Sequence, residues 1–198
     1  MSRLQKMTTV SILASISILL YYFKIPLPFF PPFLTLDLSD IPSLIAAIVM
    51  GPLAGIVVQL VKNAVDYLLH GSYAGFPVGQ TANFLSGSLM AGLIGSFYYL
   101  RGKISWRSIT ASVLLFTAAI SALNYFLILP AIMNALGLTA EQYTASFAAF
   151  NSAVKDLPTA VLYIIVPFNL IKVSIVYAIG LPFTFRLHTI LQKRRLAL

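Results

Sequence analysis

The sequence predicts an all-α polytopic membrane protein, a bundle of six transmembrane helices with both termini in the cytoplasm. Three observations carry that prediction. Of the 198 residues, 59% are hydrophobic and only 9% are charged, where a soluble globular chain carries about 25% charged residues. The apolar residues gather in six runs, roughly 8–23, 40–50, 53–70, 81–100, 108–130 and 158–186, and a helix needs ~20 residues to cross the hydrocarbon core. With six crossings the charges also segregate. Arg3, Lys6, Arg101, Lys103, Arg107, Arg186, Lys193, Arg194 and Arg195 fall on one side, and Lys24, Asp37, Asp40, Glu141, Lys155 and Asp156 on the other. An excess of Lys and Arg marks the cytoplasmic side. These basic ends read as topology anchors at anionic headgroups rather than as a nucleic-acid surface. Residues 1–198 read as one membrane domain. With no cysteine in the chain, disulfides and Cys-based metal or nucleophilic chemistry are excluded. His70 and His188 lie far apart, and neither starts an HExxH motif.

The first run is followed by KIPLPFFPPF rather than a small-x-small cleavage site, so it is expected to be a retained helix. Ser11, Ala14 and Ser15 give it a small-residue face, suited either to packing within the bundle or to docking on a partner subunit. Residues 24–38 cannot be helical, because Pro26, Pro28, Pro31 and Pro32 remove donors and fix φ. This outer loop carries Phe29, Phe30 and Phe33, suited to a lid or to an interfacial aromatic belt. Ser39-Asp40-Ile41-Pro42 starts the second run, with Asp40 expected as a helix cap. That run is short, and its partner across Gly51-Pro52 is expected to complete the crossing.

The third run holds Lys62 and Asp66 at i, i+4, an expected structural pair, with Asn63, Tyr67 and His70 on a neighbouring face. A Gly-rich outer loop, 71–80, precedes the fourth run, in which Gly87, Ala91 and Gly95 form a packing seam. Asn83 lies near that run's outer end. Asn124 sits in the outer third of the fifth run, and Pro130 is expected to end it. Residues 131–157 form an outer loop containing a surface helix, with Lys155 and Asp156 as a solvated pair. GPLAG is too short to cradle a phosphate, and GxxxxGK[ST] is absent, so this chain does not hydrolyse ATP through a P-loop.

The sixth run contains PFNLIK. A central intramembrane Lys costs roughly 2.5–3.5 kcal/mol and marks a functional site by default. The i, i+3 spacing places Asn169 and Lys172 on one helix face. In the six-crossing topology Asn83, Asn124 and Asn169 share the outer half of the bilayer, above Lys172. These asparagines either satisfy one another and helix backbones or line a ligand pocket. Amides supply both donors and acceptors and Lys supplies a donor, which suits a neutral, planar, polar metabolite in an otherwise apolar pocket. That chemistry does not single out one ring system.

FLTLDLSDIPSL, GPLAGIVVQLVKN, PVGQTANFLSG, LNYFLILP and PFNLIK resemble, in order, the blocks of the riboflavin-specific S-component (RibU family) of energy-coupling factor (ECF) transporters. The resemblance spans Phe33 to about Lys172, with Val173 standing where relatives often carry glycine. It implies a carrier, not an enzyme, in a prokaryotic cell membrane, with riboflavin as transported substrate and no resident cofactor or metal. The implied contacts are Leu34, Thr35 and Leu36 in the lid loop, Gly79 before and Asn83 in the fourth helix, Asn124, and Asn169 with Lys172. The implied partner is an ECF module of one transmembrane T-component and two ABC ATPases, with Ser11, Ala14 and Ser15 docking on the T-component. Alternatives are an S-component for FMN or another planar vitamin, a self-sufficient ion-coupled carrier using Lys62 and Asp66, and a membrane-embedded enzyme. Only Lys24 and Lys155 lie in the outer loops to meet a phosphate, which favours free riboflavin. No inverted repeat supports the ion-coupled carrier.

Overall fold

A computed structural model describes residues 2–72 and 76–196, with side chains through 187. Positions 73–75 of the Gly-rich loop, and the side chains of His188, Lys193, Arg194 and Arg195, lie outside this description. Helix α1 (Arg3–Tyr21) opens on a capping box between Ser2 and Gln5. The Pro-rich segment is pinched by two short antiparallel strands, β1 (Ile25–Pro26) and β2 (Thr35–Leu36), so the loop between them is a closed excursion. Its tip residue Phe29 takes φ 69° and is 86% exposed, a strained conformation for a bulky residue.

Helix α2 (Ile41–Met50) is only ten residues long, yet it is the centre of the bundle. Every residue from Ile41 to Ile48 is buried, against α1, α3 (Pro52–His70), α4 (Val78–Arg101) and α9 (Val166–Leu196). Gly51, at φ 104°, makes the turn into α3, which starts on Pro52. Small residues allow this density. A Cβ on Gly55 would lie 2.7 Å from the Ser43 carbonyl oxygen, and one on Gly95 would lie 2.8 Å from the Ala47 Cβ. The Gly87–Gly95 seam is therefore a packing surface, as its spacing suggests. Helix α4 begins before residue 81, so Gly79 lies in its first turn.

Four helical segments are long and apolar enough to cross a membrane among the described residues: Arg3–Tyr21, Pro52–His70, Trp106–Leu136 and Leu157–Leu187. Pro130 does not end the fifth run. Helix α5 (Trp106–Leu123) passes through a π turn (Asn124–Ile128) directly into α6 (Leu129–Leu136). After α7 (Ala140–Ala148), α8 (Leu157–Ala160) leads through a second π turn (Val161–Ile165) into α9. Each π turn closes with an N–H reaching back five residues, Leu129 to the Asn124 oxygen and Val166 to the Val161 oxygen. A proline follows next in each case, Pro130 and Pro167. Proline has no N–H to donate, and its ring clashes with the carbonyl at i−4 in a regular helix. Here that carbonyl lies inside a widened turn, so the helix continues.

Gly87 offers a direct test of the packing. Its Cβ would sit 2.2 Å from Gln59 Nε2, and Gln59 is held by Asp40 and Ser43. Gly→Ala normally favours a helix interior by about 1 kcal/mol. Gly87→Ala is expected instead to destabilise by about 1–3 kcal/mol through overpacking, read as a lower melting temperature in detergent. An unchanged melting temperature would mean that Gln59 moves aside freely.

Candidate functional site

The polar interior is built around the sequence Asp37-Leu38-Ser39-Asp40, where the lid loop enters α2. Ser39 donates from its backbone N–H (3.0 Å) and its hydroxyl to Asp37 Oδ1. Ser17 of α1 donates in turn to the Ser39 carbonyl. Asp40 does not cap α2 with its side chain. Its Oδ1 accepts from Gln59 Nε2 at 2.7 Å and from Lys62 Nζ at 3.1 Å. The expected Lys62–Asp66 pair is therefore not formed. Lys62, 0% exposed, turns inward to Asp40 and Ser39 Oγ, and Asp66 meets His70 Nδ1 at 3.2 Å and Gln80 Nε2 at 3.0 Å. The physical reason is the position of α2: a buried carboxylate across the helix interface gives Lys62 a partner inside the bundle, in the stronger environment for a charge pair.

Lys172, 5% exposed, reaches the same carboxylates from α9. Its ammonium lies 3.4 Å from Asp40 Oδ2 and 3.8 Å from Asp37 Oδ2. Asp40 Oδ2 has no hydrogen-bond partner among the described residues. The two buried lysines thus differ in kind. Lys62 is hydrogen-bonded into the scaffold, with the Tyr21 ring 5.2 Å from its Nζ. Lys172 is held at longer range, 3.4 and 3.8 Å from two carboxylates.

The asparagines sit at the π turns. Asn124 begins the first, and Asn169 lies one helical turn beyond the second. The two π turns touch each other, and α4 touches the first, so the elements carrying Asn83, Asn124 and Asn169 converge. Asn124 Nδ2 donates to the Ile120 carbonyl at 2.8 Å, and Asn169 Nδ2 to the Ile165 carbonyl at 2.9 Å. One donor of each amide thereby fixes its orientation, and the amide oxygen and second N–H remain for recognition. Asn83 Oδ1 is buried without a hydrogen-bond partner among the described residues. Gly79, by contrast, is exposed, with open space at its Cβ position.

The Pro-rich loop packs onto this region through aromatic and aliphatic contacts. Phe30 packs edge-on against Phe168, one residue before Asn169. Phe33 meets Tyr143 and Phe147 of α7. Leu34 packs on an outer cluster formed by α7, α8 and the second π turn, Leu36 is buried, and Thr35 pairs with Pro26. The 131–157 segment is therefore more than a surface helix. Tyr143, Thr144 and Phe147 are buried beneath the lid, and burial pushes the Tyr143 hydroxyl up to about 12, so it stays neutral. Lys155 and Asp156 are exposed, but the Asp156 carboxylate caps α8 through Thr159. Those hydrogen bonds from Thr159 hold it below the usual carboxylate range.

On α1, Ser11 and Ser15 face outward, whereas Ala14 is 1% exposed and belongs to the core. A docking face on this helix consists of the serines and their exposed neighbours, without Ala14. Sequence reasoning missed Asp37, Ser39 and Asp40 as partners of the lysines, and Gln59 as a second donor to Asp40. The available signal was Asp37/Asp40 before α2 and Gln59/Lys62 within α3, two polar i, i+3 pairs.

A family model described as ECF transporter, substrate-specific component, matches residues 5–182. The chain is 40% identical over 174 residues to "Riboflavin transporter FmnP" of Bacillus subtilis (strain 168), covering 86% of this chain and 85% of that one. It is 37% identical over 184 residues to "Riboflavin transporter RibU" of Staphylococcus aureus (strain TCH60), covering 89% and 88%. The fold is similar to a solved structure described as "Structure and mechanism of the S component of a bacterial ECF transporter", with TM-score 0.72, 31% identity, and coverage of 96% of this chain and 99% of that one.

Proposed function

The chain belongs to the substrate-specific components of ECF transporters, and from that premise we propose that it captures riboflavin outside the cell and delivers it across the membrane. It is a carrier rather than an enzyme, and riboflavin is its cargo, not a cofactor. The relatives named as riboflavin transporters support this choice of ligand. The observation that carries the site is Lys172, a buried ammonium held at 3.4 and 3.8 Å by two carboxylates, one turn from Asn169 on α9. Asn83, Asn124, Asn169 and Lys172 read the polar edge of the ring. Leu34, Thr35 and Leu36 close over it from the lid, and Gly79 leaves room at the mouth.

The chain crosses the membrane six times with both termini in the cytoplasm, α2 and α4 completing the four long apolar segments. Energy comes from a separate module of one T-component and two ABC ATPases. The exposed serines of α1 are its docking face. Replacing Ser11 and Ser15 with Leu is expected to leave riboflavin binding intact in the isolated chain and to lower uptake by the full complex at least severalfold. Unchanged uptake would place the docking face elsewhere.

The test of the function is the visible absorption spectrum of the detergent-purified protein, followed by titration of riboflavin fluorescence. A yellow protein, or stoichiometric quenching at low concentration, is expected. A protein that leaves riboflavin fluorescence unquenched would overturn the assignment.

A further inference from the structure

We propose that Asp37 and Asp40 are specificity-determining residues that set the charge of the flavin ring this pocket accepts. The inference rests on the riboflavin reading above and adds to it a reason for the ring to be neutral. Asp37, Asp40, Lys62 and Lys172 form one enclosed cluster, and their formal charges cancel. Asp37 reaches it from the end of the lid, Asp40 from the entry to α2, Lys62 from α3 and Lys172 from α9. The uncharged Tyr21 faces it from α1, with Lys24 over the ring, and the Asp66–His70 pair lies one turn beyond Lys62 on α3. Between Val78 and Leu100, α4 carries no charged residue, and α5 has none after Arg107.

Charges act strongly over short distances in a poorly polarisable interior, so an unbalanced charge there would select a ligand of opposite sign. A site built for an anion presents an uncompensated cation. Here Lys172, on the same helix as Asn169, is countered by two separate carboxylates at 3.4 and 3.8 Å. The site therefore donates hydrogen bonds to the ring without favouring negative charge on it. The N3–H of the flavin ring is a weak acid that loses its proton to solvent in alkaline solution, and the anion has its own absorption spectrum. That ionisation reports the charge balance of the pocket from the ligand's side.

The experiment is a spectroscopic pH titration of riboflavin bound to the purified full chain, in the native protein, Asp37→Asn and Lys172→Met. In the native protein the N3 ionisation of the bound ring is expected at or above its value in free solution, because burial disfavours the anion. Asp37→Asn leaves the cluster with one excess positive charge and is expected to lower that ionisation by about one unit, about a tenfold gain in preference for the anionic ring. Lys172→Met leaves an excess negative charge and is expected to raise it. An ionisation in Asp37→Asn that stays in place or rises would overturn the proposal. If Asp37→Asn does not fold, the Lys172→Met titration decides: an upward shift supports the proposal, and none overturns it. A native protein that binds no riboflavin overturns the flavin reading and this inference together, whereas intact binding with unmoved ionisation overturns this inference alone.

Discussion

Lys172→Met is expected to weaken riboflavin binding about ten- to a hundredfold. A hydrogen bond to a charged group contributes about 1.5–3 kcal/mol, and Lys172 is the buried cation held more loosely by the scaffold, at 3.4 and 3.8 Å from its carboxylates against 3.1 Å for Lys62. The loss should appear in the dissociation rate of the quenched complex, measured by competition. Asn169→Ala, one turn away, should add a smaller loss, and the two should not be additive, because both groups address one ring edge. Lys62→Met is the contrast. That lysine is hydrogen-bonded to Ser39 and Asp40, so its loss is expected to act on stability before it acts on binding. Equal affinity in Lys172→Met and the native protein would remove Lys172 from the site.

Asp40→Ala is expected to be the most destabilising single change in the chain, by about 3–5 kcal/mol, the usual consequence of deleting one partner from a buried ion pair. Asp40 is the shared anion of Lys62 and Lys172 and accepts from Gln59 as well. Its loss leaves Lys62 without a carboxylate and Lys172 with Asp37 alone, at the helix on which the bundle is centred. Thermal unfolding in detergent measures it. The double change Asp40→Ala, Lys62→Met should recover part of the loss, since it removes the ammonium left without a carboxylate. A double variant less stable than Asp40→Ala alone would show that Lys62 contributes chiefly through packing.

The parts legible in the sequence are those whose signals are local. The long apolar runs, the non-helical Pro-rich loop, the Gly51 turn and the small-residue seam on α4 all follow from spacing along one segment. Asn169 and Lys172 stood out because polar groups are costly in lipid. The ion-pair partners were not legible, because they depend on which segments meet. The i, i+4 spacing of Lys62 and Asp66 fits a pair, but tertiary contact with the entry to α2 offered Lys62 a more enclosed carboxylate. Asp40 looked like a helix cap for the same reason: local grammar explained it, and only the fold shows that its side chain turns away from the helix end. Ala14 shares the spacing of the exposed serines yet faces inward, because a helix face is decided by what packs on it. The extension through Pro130 was hidden because proline ordinarily stops a helix, and the π turn that accommodates it has no strong sequence mark.

The π turns carry a consequence for the history of the chain. Such a turn amounts to one residue inserted into a regular helix, and one residue is worth about 100° of rotation. Everything beyond Ile128, and everything beyond Ile165, is rotated by that amount relative to an uninterrupted helix. Deleting one residue within Asn124–Ile128 would restore the regular hydrogen-bond ladder and also swing one end of the segment to a new face. The two insertions abut each other in space, so a deletion in one is tolerated only if the other yields with it. Length variation in this family should therefore concentrate in the outer loops, while these two five-residue stretches keep their count.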